Sequence, residues 1–463
     1  MNATPNSLPS EIFKAYDIRG VVGRSLTSAV VRRIGHALGS EAKQRGQQAI
    51  IIGRDGRLSG PELCSALAEG VQLAGCNVID IGQAPTPLVY FASHRLDTQS
   101  AVAVTGSHNP PEYNGLKMVI AGETLAGERI QQLRQRILHD RLITDGPGTY
   151  QQCTIIDDYV QRVVEDVRLE RSLNIIIDCG NGVAGAVAPT LYRGLGCTVT
   201  ELYCEVDGTF PNHHPDPSQP DNLIDLKHAV SDTGADLGLA FDGDGDRLGV
   251  VSSDGTLIWP DRLMILFSRD ILSRNPGAQI IFDVKCSRTL PAAIRDAGGI
   301  PLMWRTGHSF IKAKLKQTGA ALAGEMSGHI FFKERWYGFD DALYTGARLL
   351  ELLAKDPRDP AAVFAELPDS VNTPELHIEM DEGEHFALMH ELIDRARFPG
   401  GDISTIDGLR VDFDDGFGLV RPSNTTPLLV LRFEADTQAS LERIQDQFRR
   451  LITDARPNLC VPF

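Results

Sequence analysis

The sequence Thr105-Gly106-Ser107-His108-Asn109-Pro110 combines a hydroxyl nucleophile, an imidazole and turn-forming residues. It follows the apolar run 101–104 and is therefore predicted at the carboxyl end of a strand, where open α/β sheets bind ligands. Gly106 frees the backbone and Asn109-Pro110 favours a turn, so we expect Ser107 to be exposed with His108 beside it. Such a serine can carry a covalent group, although many Ser-His pairs in loops are solvated turns.

A second stretch, Phe241-Asp242-Gly243-Asp244-Gly245-Asp246-Arg247, alternates aspartates with glycines. A tight loop of this kind can bring three carboxylates toward one point, where they repel one another unless a cation lies among them. Mg²⁺ is the usual cation where a phosphate completes the coordination shell. A calcium EF-hand fits poorly, because it requires glycine where Arg247 stands and glutamate where Ser253 stands. The alternative is an acidic surface turn.

A third stretch, Arg421-Pro422-Ser423-Asn424-Thr425-Thr426-Pro427, offers hydroxyls, an amide and a guanidinium. This donor set suits a phosphate dianion. The alternative is a turn bounded by prolines.

The glycine-rich sequence 180–185, followed by Glu201, resembles a dinucleotide-binding fingerprint and would indicate a nicotinamide-dependent oxidoreductase. However, Asp178 and Cys179 intervene between the apolar run 175–177 and the glycines. We therefore favour a glycine-rich turn between a strand and a helix.

These stretches lie within a pattern that the chain repeats three times. Apolar runs at 49–52, 175–177 and 280–282 each end in a turn with an acidic residue: Asp55, Asp178 and Asp283. Each is followed by a helical stretch, a glycine and a second apolar strand. The third strands, at 101–104, 237–240 and 320–323, lead into the serine loop, the aspartate loop and Gly324-Glu325-Met326-Ser327-Gly328-His329. Three chemically active loops thus hold the same position in three repeats, and they can line one cleft if the repeats pack in similar orientations.

The remainder of the chain predicts strands at 403–406, 409–413, 417–420 and 428–433 and a helix over 441–452. The predicted fold class is α/β: three repeated three-layer α/β/α domains with mixed sheets, then a smaller C-terminal α+β domain. The expected domains are 1–152 with the serine loop, 153–255 with the aspartate loop, 256–367 with the Gly324–His329 loop and 368–463 with the loop that begins at Arg421.

Composition narrows the class of protein. The chain has 463 residues and a formal net charge of -16, which argues against nucleic-acid and anionic-membrane partners. The first residues lack the basic and apolar regions of a signal peptide, and no run is apolar enough to span a bilayer, so we expect a cytoplasmic enzyme. The eight cysteines include no C-x-x-C pair and are expected to be mostly buried thiols in a reducing compartment.

Taken together, the serine, aspartate, Gly324–His329 and Arg421–Thr425 motifs resemble those of the α-D-phosphohexomutase family, in order and spacing over nearly the whole chain. The closest likeness is to its bacterial branch that acts on both mannose and glucose phosphates. Gly106 departs from the alanine common in the family, a change expected to be harmless. Met326 favours this branch over the phosphoglucosamine mutases, which typically have glutamine there.

The resemblance implies reversible interconversion of hexose 1-phosphate and hexose 6-phosphate. Ser107 would carry a phosphoryl group, and Asp242, Asp244, Asp246 and a phosphoserine oxygen would bind Mg²⁺. Glucose 1,6-bisphosphate would be the intermediate and activator, and it would turn end for end within the cleft.

The resemblance also implies residue roles. The general acid/base candidates are Lys117 and His108, and the groups that stabilise the transferring phosphoryl charge are Arg19 and Arg247. The residues expected to contact the phosphosugar are Tyr16, Lys285, Gly307, His308, Glu325, Ser327, His329, Arg421, Ser423, Asn424 and Thr425. We expect a monomer. The alternatives are a phosphoglucosamine mutase, an oxidoreductase, and a sugar-phosphate binding protein without turnover.

Overall fold

The computed structural model describes residues 8–424 and 426–463. The first predicted domain contains a seven-stranded sheet in the order β1-β5-β4-β2-β3-β7, with β6 beside β5. Its strands are Ile18–Val21 (β1), Ala49–Arg54 (β2), Asn77–Gln83 (β3), Ala101–Val104 (β4), Tyr113–Ile120 (β5), Glu123–Thr124 (β6) and Tyr150–Gln152 (β7). Its helices are Ser28–Gln44 (α1), Gly60–Leu73 (α2), Thr86–Arg95 (α3) and Glu128–Leu138 (α4).

Strands β2, β3 and β4 run parallel, whereas β5 runs antiparallel to β4. The apolar residues of β2 and β4 are buried, as expected for central strands covered on both faces. Because β4 and β5 are neighbours, the segment between them is a loop at the carboxyl end of β4. Ser107 lies on this loop.

The second predicted domain repeats this plan in a five-stranded sheet of order β12-β11-β10-β8-β9. Its strands are Asn174–Asp178 (β8), Thr198–Leu202 (β9), Leu237–Phe241 (β10), Leu248–Ser252 (β11) and Leu257–Ile258 (β12). Its helices are Ile156–Asp166 (α5), Ala188–Gly194 (α6) and Ile224–Thr233 (α7). Again β10 is parallel to β8 and antiparallel to β11, so the aspartate loop between β10 and β11 occupies the position of the serine loop.

In the third predicted domain, β13 pairs in parallel with β14 and β15. The strands are Gln279–Asp283 (β13), Ile300–Trp304 (β14), Leu322–Gly324 (β15) and Ile330–Phe332 (β16). The helices are Pro260–Arg274 (α8), Thr289–Asp296 (α9), His308–Thr318 (α10), Ala342–Lys355 (α11) and Pro360–Ala365 (α12). The third motif, Gly324 to His329, joins β15 to β16.

The last predicted domain contains a six-stranded antiparallel sheet with β22 paired to β17, β18 and β21. Its strands are Val371–Asn372 (β17), Leu376–Glu379 (β18), Asp402–Ser404 (β19), Leu409–Phe413 (β20), Gly416–Pro422 (β21) and Leu428–Ala435 (β22). Its helices are Glu384–Arg395 (α13) and Gln438–Ala455 (α14). Phe433, Phe448 and Leu392 are among the buried residues of its core.

The predicted fold class is therefore confirmed, and the strand positions agree with the sequence pattern to within a few residues. By compactness the described residues form two units. The first comprises residues up to Pro260, Lys312–Gln317 and Ser327–Glu366, and the second comprises Asp261–Ile311, Thr318–Met326 and Leu367–Phe463. The four domain boundaries stay a prediction. Within residues 8–424 and 426–463, no helix has both the length and the apolar character needed to cross a bilayer.

Candidate active site

The Ser107 hydroxyl lies in the first unit, where the serine loop meets the aspartate loop. Its Oγ donates to Asp242 Oδ2 at 3.1 Å and lies 3.2 Å from His108 Nδ1. The expectation of an exposed serine is wrong, since Ser107 is buried by the aspartate loop. Ser107 also has a φ of +51°, which is unfavourable for a residue with a Cβ atom. The surrounding structure therefore has to hold the serine in place.

Asp55 and Arg57, which follow β2, hold the serine loop. Asp55 Oδ2 accepts hydrogen bonds from Thr105 Oγ1 at 2.8 Å and from the Gly106 N–H at 3.0 Å. The buried Arg57 guanidinium donates to four carbonyls of the serine loop and the start of β5. These are the carbonyls of Ser107, at 2.8 Å, Asn109, Pro110 and Tyr113. A methyl group on Gly106 would lie 2.3 Å from Arg57 Nε. Glycine at position 106 therefore leaves room for the Arg57 side chain where it lies here.

Three buried carboxylates, those of Asp242, Asp244 and Asp246, converge on one point. One ligand atom of each lies within 4.8 Å of the others. Lys117, on β5, places its Nζ 2.7 Å from Asp244 Oδ2 and 2.5 Å from Asp246 Oδ2. Thr86 supplies a further donor, with its Oγ1 2.5 Å from Asp244 Oδ2.

The charges of this cluster are not balanced by Lys117 alone. Burial, and then the neighbouring Asp244 and Asp246, raise the pKa of Asp242 well above its usual value. Burial opposes ionisation of Asp244 too, but the Lys117 ammonium lowers the pKa of that carboxyl. Asp244 Oδ1 and Asp246 Oδ1 are buried without a hydrogen-bond donor among the described residues. A set of hard oxygen ligands with surplus negative charge fits a divalent cation such as Mg²⁺.

His108 and Arg247 form a second contact beside the serine. One guanidinium nitrogen of Arg247 contacts His108 Nδ1, and Arg247 Nε donates to His329 Nε2 at 3.2 Å. Burial and the Arg247 charge lower the pKa of His108 well below its usual value. His108 is therefore a neutral imidazole whose Nδ1 can accept a hydrogen bond.

The end of the third motif also reaches this cluster. His329 Nδ1 lies 3.2 Å from Asp340 Oδ2 and 3.5 Å from Asp246 Oδ1, and Lys312 Nζ lies 2.7 Å from Asp340 Oδ1. His329, at the end of the third motif, therefore lies beside the aspartate loop within the first unit.

The other predicted residues of this unit lie around the cluster. Arg19, on β1, pairs with Asp17 at 2.8 Å and also contacts the Asn109 side chain in the serine loop. Tyr16 precedes β1 and is half-buried, as is Ser327.

In the second unit, the predicted phosphate-binding residues begin at the end of β21. Arg421 is buried, and its Nε lies 3.0 Å from Asp407 Oδ2, which also accepts the Thr306 N–H at 2.9 Å. Ser423 Oγ lies 2.9 Å from Thr426 Oγ1. The structure places Arg421 and Pro422 on the strand, where the sequence predicted a loop. Thr425 is outside the described residues.

The predicted sugar-binding residues of the second unit lie on three other segments. The buried Glu325 carboxylate accepts the Gly307 N–H, and Gly307 has a φ of +129°, which favours glycine. His308 begins α10 and is buried. Lys285 Nζ lies 2.5 Å from Glu375 Oε1, and although burial opposes its charge, Glu375 raises the pKa of Lys285.

The acidic residues at the ends of the apolar runs 49–52, 175–177 and 280–282 share a property that the sequence analysis missed, since each accepts a backbone N–H from a loop. Like Asp55, Asp178 accepts a backbone N–H from its own loop, that of Gly180 at 2.9 Å, and it also pairs with His213 at 3.1 Å. Asp283 accepts the Met326 N–H at 3.1 Å and the Thr306 hydroxyl at 2.8 Å. Their repeated position was visible in the sequence and could have identified them as loop anchors.

Residues 180–185 form a turn leading into a short 3₁₀ helix, as favoured from the sequence, and Glu201 pairs with Arg193 at the surface. Five of the eight cysteines are buried and Cys460 is exposed.

Four family models match the chain, all described as phosphoglucomutase/phosphomannomutase: α/β/α domain I over residues 10–143, domain II over 157–255, domain III over 259–371 and the C-terminal domain over 375–451. The chain therefore belongs to the α-D-phosphohexomutase family.

Two curated relatives and a crystal structure specify the branch. The phosphomannomutase/phosphoglucomutase of Pseudomonas aeruginosa is 55% identical over 457 residues, covering 99% of this chain and 98% of the relative. The phosphoglucomutase of Neisseria meningitidis serogroup A is 54% identical, covering 98% of this chain and 99% of the relative. A phosphoglucomutase/phosphomannomutase family protein from Burkholderia thailandensis has a TM-score of 0.94 at 54% identity, covering 99% of this chain and 100% of that one. The chain is an isomerase with phosphomannomutase/phosphoglucomutase activity, which interconverts hexose 1-phosphates and hexose 6-phosphates.

Proposed function

We propose that the enzyme acts on both glucose and mannose phosphates through a phosphoserine at Ser107 and a hexose 1,6-bisphosphate that reorients before the second transfer. The observation that carries this proposal is the contact of Ser107 Oγ with Asp242, one of three converging buried carboxylates. A hydroxyl held beside a cation site is the arrangement that phosphoryl transfer requires.

In the first transfer, the free C1 or C6 hydroxyl of the substrate attacks the phosphorus on Ser107. A bond forms between phosphorus and the sugar oxygen, and the bond from phosphorus to Ser107 Oγ breaks. The proton that the sugar hydroxyl loses balances the proton that Ser107 Oγ takes up as it leaves. The second transfer reverses these changes at the other end of the sugar. No external phosphate donor is consumed.

The neutral His108 imidazole suits proton transfer at Ser107, because its Nδ1 lies within hydrogen-bond distance of Oγ. Lys117 suits charge stabilisation instead. Although burial opposes its charge, Asp244 and Asp246 raise the pKa of Lys117, so its ammonium holds its proton strongly. We assign Arg247 and Arg19 to the negative charge of the transferring group, since both guanidinium groups contact the serine loop.

Asp242, Asp244 and Asp246, with an oxygen of the phosphorylated serine, would hold Mg²⁺. Bound there, Mg²⁺ supplies positive charge that makes the phosphorus more electrophilic. The three carboxylates have the oxygen chemistry and the surplus charge that fit this ion.

Recognition of the substrate's non-reacting phosphate is assigned to Arg421, Ser423, Asn424 and Thr425, with Lys285 as a further cation. Glu325 and Ser327 would bind sugar hydroxyls near the axis of reorientation, with Tyr16, Gly307, His308 and His329 as further contacts. Because one phosphate site serves both orientations of the sugar, the configuration of the C2 hydroxyl need not be recognised strictly. Both glucose and mannose phosphates can then bind.

The proposal is tested by following the phosphoryl group. Incubation with glucose 1,6-bisphosphate followed by peptide mapping should place an acid-stable phosphate on Ser107. Excess glucose 6-phosphate should then remove it and form bisphosphate in equal amount. Phosphate on a different residue, or turnover by enzyme that never becomes phosphorylated, would refute the proposal. Parallel assays with glucose, mannose and glucosamine 1-phosphates define the substrate range.

A further inference from the structure

Two thiols in the second predicted domain lie in contact with each other. Cys204 donates its S–H to Cys179 Sγ, with a sulfur–sulfur distance of 3.5 Å. Cys179 directly follows β8 and Cys204 lies just beyond β9, at adjacent ends of two parallel strands. The proposed transfer chemistry uses neither thiol.

The backbone between the two cysteines is fixed in a way that keeps the sulfurs together. The Cys179 N–H donates to Leu202 O at 3.1 Å, and the Asn181 N–H donates to Tyr203 O at 2.8 Å. A disulfide requires a sulfur–sulfur distance of about 2 Å, so the two sulfurs have to approach by about 1.5 Å. Side-chain rotation with a small loop shift can supply such a movement.

The two thiols differ in access. Cys179 is buried, whereas Cys204 is half-buried and is the one that a solute reaches first. The neighbouring Cys204 thiol, together with burial, raises the pKa of the Cys179 thiol well above its usual value. Cys204 is thus the entry point, and Cys179 is the partner that completes the bond.

Movement at Cys179 is transmitted to the aspartate loop through two hydrogen bonds. The Gly182 N–H donates to Cys179 O at 2.6 Å, and the next residue, Val183, donates its N–H to Gly243 O at 3.2 Å. Gly243 stands between Asp242 and Asp244. A shift of the 179–183 turn therefore acts on the spacing of the carboxylates.

We propose that Cys179 and Cys204 form a reversible disulfide that weakens divalent-cation binding by the aspartate loop and so lowers turnover. The effect on turnover rests on the proposed function, whereas disulfide formation and cation binding do not. The oxidant is a low-molecular-weight disulfide such as glutathione disulfide.

The reaction is a double thiol–disulfide exchange. The Cys204 thiolate attacks one sulfur of glutathione disulfide, forming a mixed disulfide and releasing one glutathione. The Cys179 thiolate then attacks Cys204 Sγ and releases the second glutathione. Two protein thiols lose two electrons in total, glutathione disulfide gains them, and the two protons end on the released thiols.

The test treats the full-length protein with glutathione disulfide and maps tryptic peptides without reduction. We expect residues 172–193 to become linked to residues 194–227, with fragmentation placing the bond on Cys204 rather than Cys197. A thiol reductant should separate the peptides. Glutathione retained on Cys204 without this link, or a link to Cys197, would overturn the proposal.

The consequence is measured on the same samples. A misplacement of about 1 Å in a site costs up to about a hundredfold, so we expect Mn²⁺ affinity and kcat each to fall at least about tenfold on oxidation and to recover on reduction. The Cys204→Ser and Cys179→Ser variants should be as active as the thiol-reduced parent enzyme but should not respond to glutathione disulfide. The Cys197→Ser variant should still respond. If the protein with the Cys179–Cys204 disulfide kept its Mn²⁺ affinity, the proposed effect of the disulfide on cation binding would be refuted. If the reduced protein lacks mutase activity, the proposed function fails, while the peptide map and Mn²⁺ binding still decide the disulfide.

Discussion

The serine–aspartate region of the first unit and the Arg421–Lys285 region of the second both consist of paired charges, but the first is richer in carboxylates and the second pairs each cation with a carboxylate. In the first, one lysine faces two of three buried carboxylates, and the pKa of Asp242 is raised. In the second, Arg421 pairs with Asp407 and Lys285 pairs with Glu375. The first region therefore favours an added cation, and the second can accept an anion in exchange for its carboxylate partners.

The comparison supports the proposed division of phosphoryl transfer and phosphate recognition between the two regions. The first holds a nucleophile on a strained backbone that many hydrogen bonds support. The second offers buried cationic side chains whose carboxylate partners a phosphate can replace. Substitutions in the first region should therefore change kcat, and substitutions in the second should change KM.

Replacing Ser107 with alanine should have the largest effect. Without the Oγ atom no phosphoryl group can be carried, so we expect kcat to fall by about 10⁴-fold or more while sugar-phosphate binding persists. A coupled assay measures turnover and calorimetry measures binding. The exposed Ser65, replaced with alanine, serves as the control. Near-normal turnover by Ser107→Ala would eliminate the proposed carrier.

Loss of the cation site should have the second-largest effect on turnover. Asp244→Asn removes one carboxylate charge, so kcat/KM should fall by about 10³-fold and Mg²⁺ binding should weaken. Treatment of the parent enzyme with a chelator should likewise abolish activity until Mg²⁺ is restored. Asp254→Asn, at an exposed position, should leave both properties unchanged. Full activity after chelation would show that the cluster needs no metal.

An intermediate effect is expected for Arg57, the positioning residue beneath the serine loop. In Arg57→Ala the four loop carbonyls lose their donor, so kcat should fall by about a hundredfold while KM changes by less than about threefold. Added guanidinium ion should restore part of kcat, but should not stimulate the parent enzyme. If KM rose as much as kcat fell, and guanidinium restored neither, the substitution would have disrupted the folded structure in general.

The smallest effect on turnover is expected in the second region. Arg421→Ala removes a charged donor to phosphate, so KM should rise about thirtyfold with kcat nearly retained. Arg443→Ala, on the exposed face of α14, is the matched control. Steady-state kinetics in both reaction directions measure the change. A fall in kcat with unchanged KM would show that the division between the two regions is wrong.

Much of the fold could be predicted because the repeated apolar runs are buried strands, and β4 and β20 begin and end where the pattern placed them. Short edge strands such as β7 and β12 were missed, since two or three residues carry no periodicity. The serine, aspartate and arginine motifs identified the candidate site residues. The residues that contact those motifs could not be predicted. Arg57, Asp340 and Asp407 are distant from their partners in the sequence or stand in no recognisable motif, and only folding brings them into contact. The burial of Ser107 was missed for the same reason.

The anchoring aspartates have a consequence for how such a chain can diversify after duplication. Asp55, Asp178 and Asp283 each accept a backbone N–H from a loop near the end of their strand. A main-chain donor is present whatever side chain the loop residue has, proline excepted. A module of this kind can therefore change the side chains of the loop that it anchors, as in the serine loop held by Asp55 and the Met326 loop held by Asp283, without losing the attachment that keeps that loop folded.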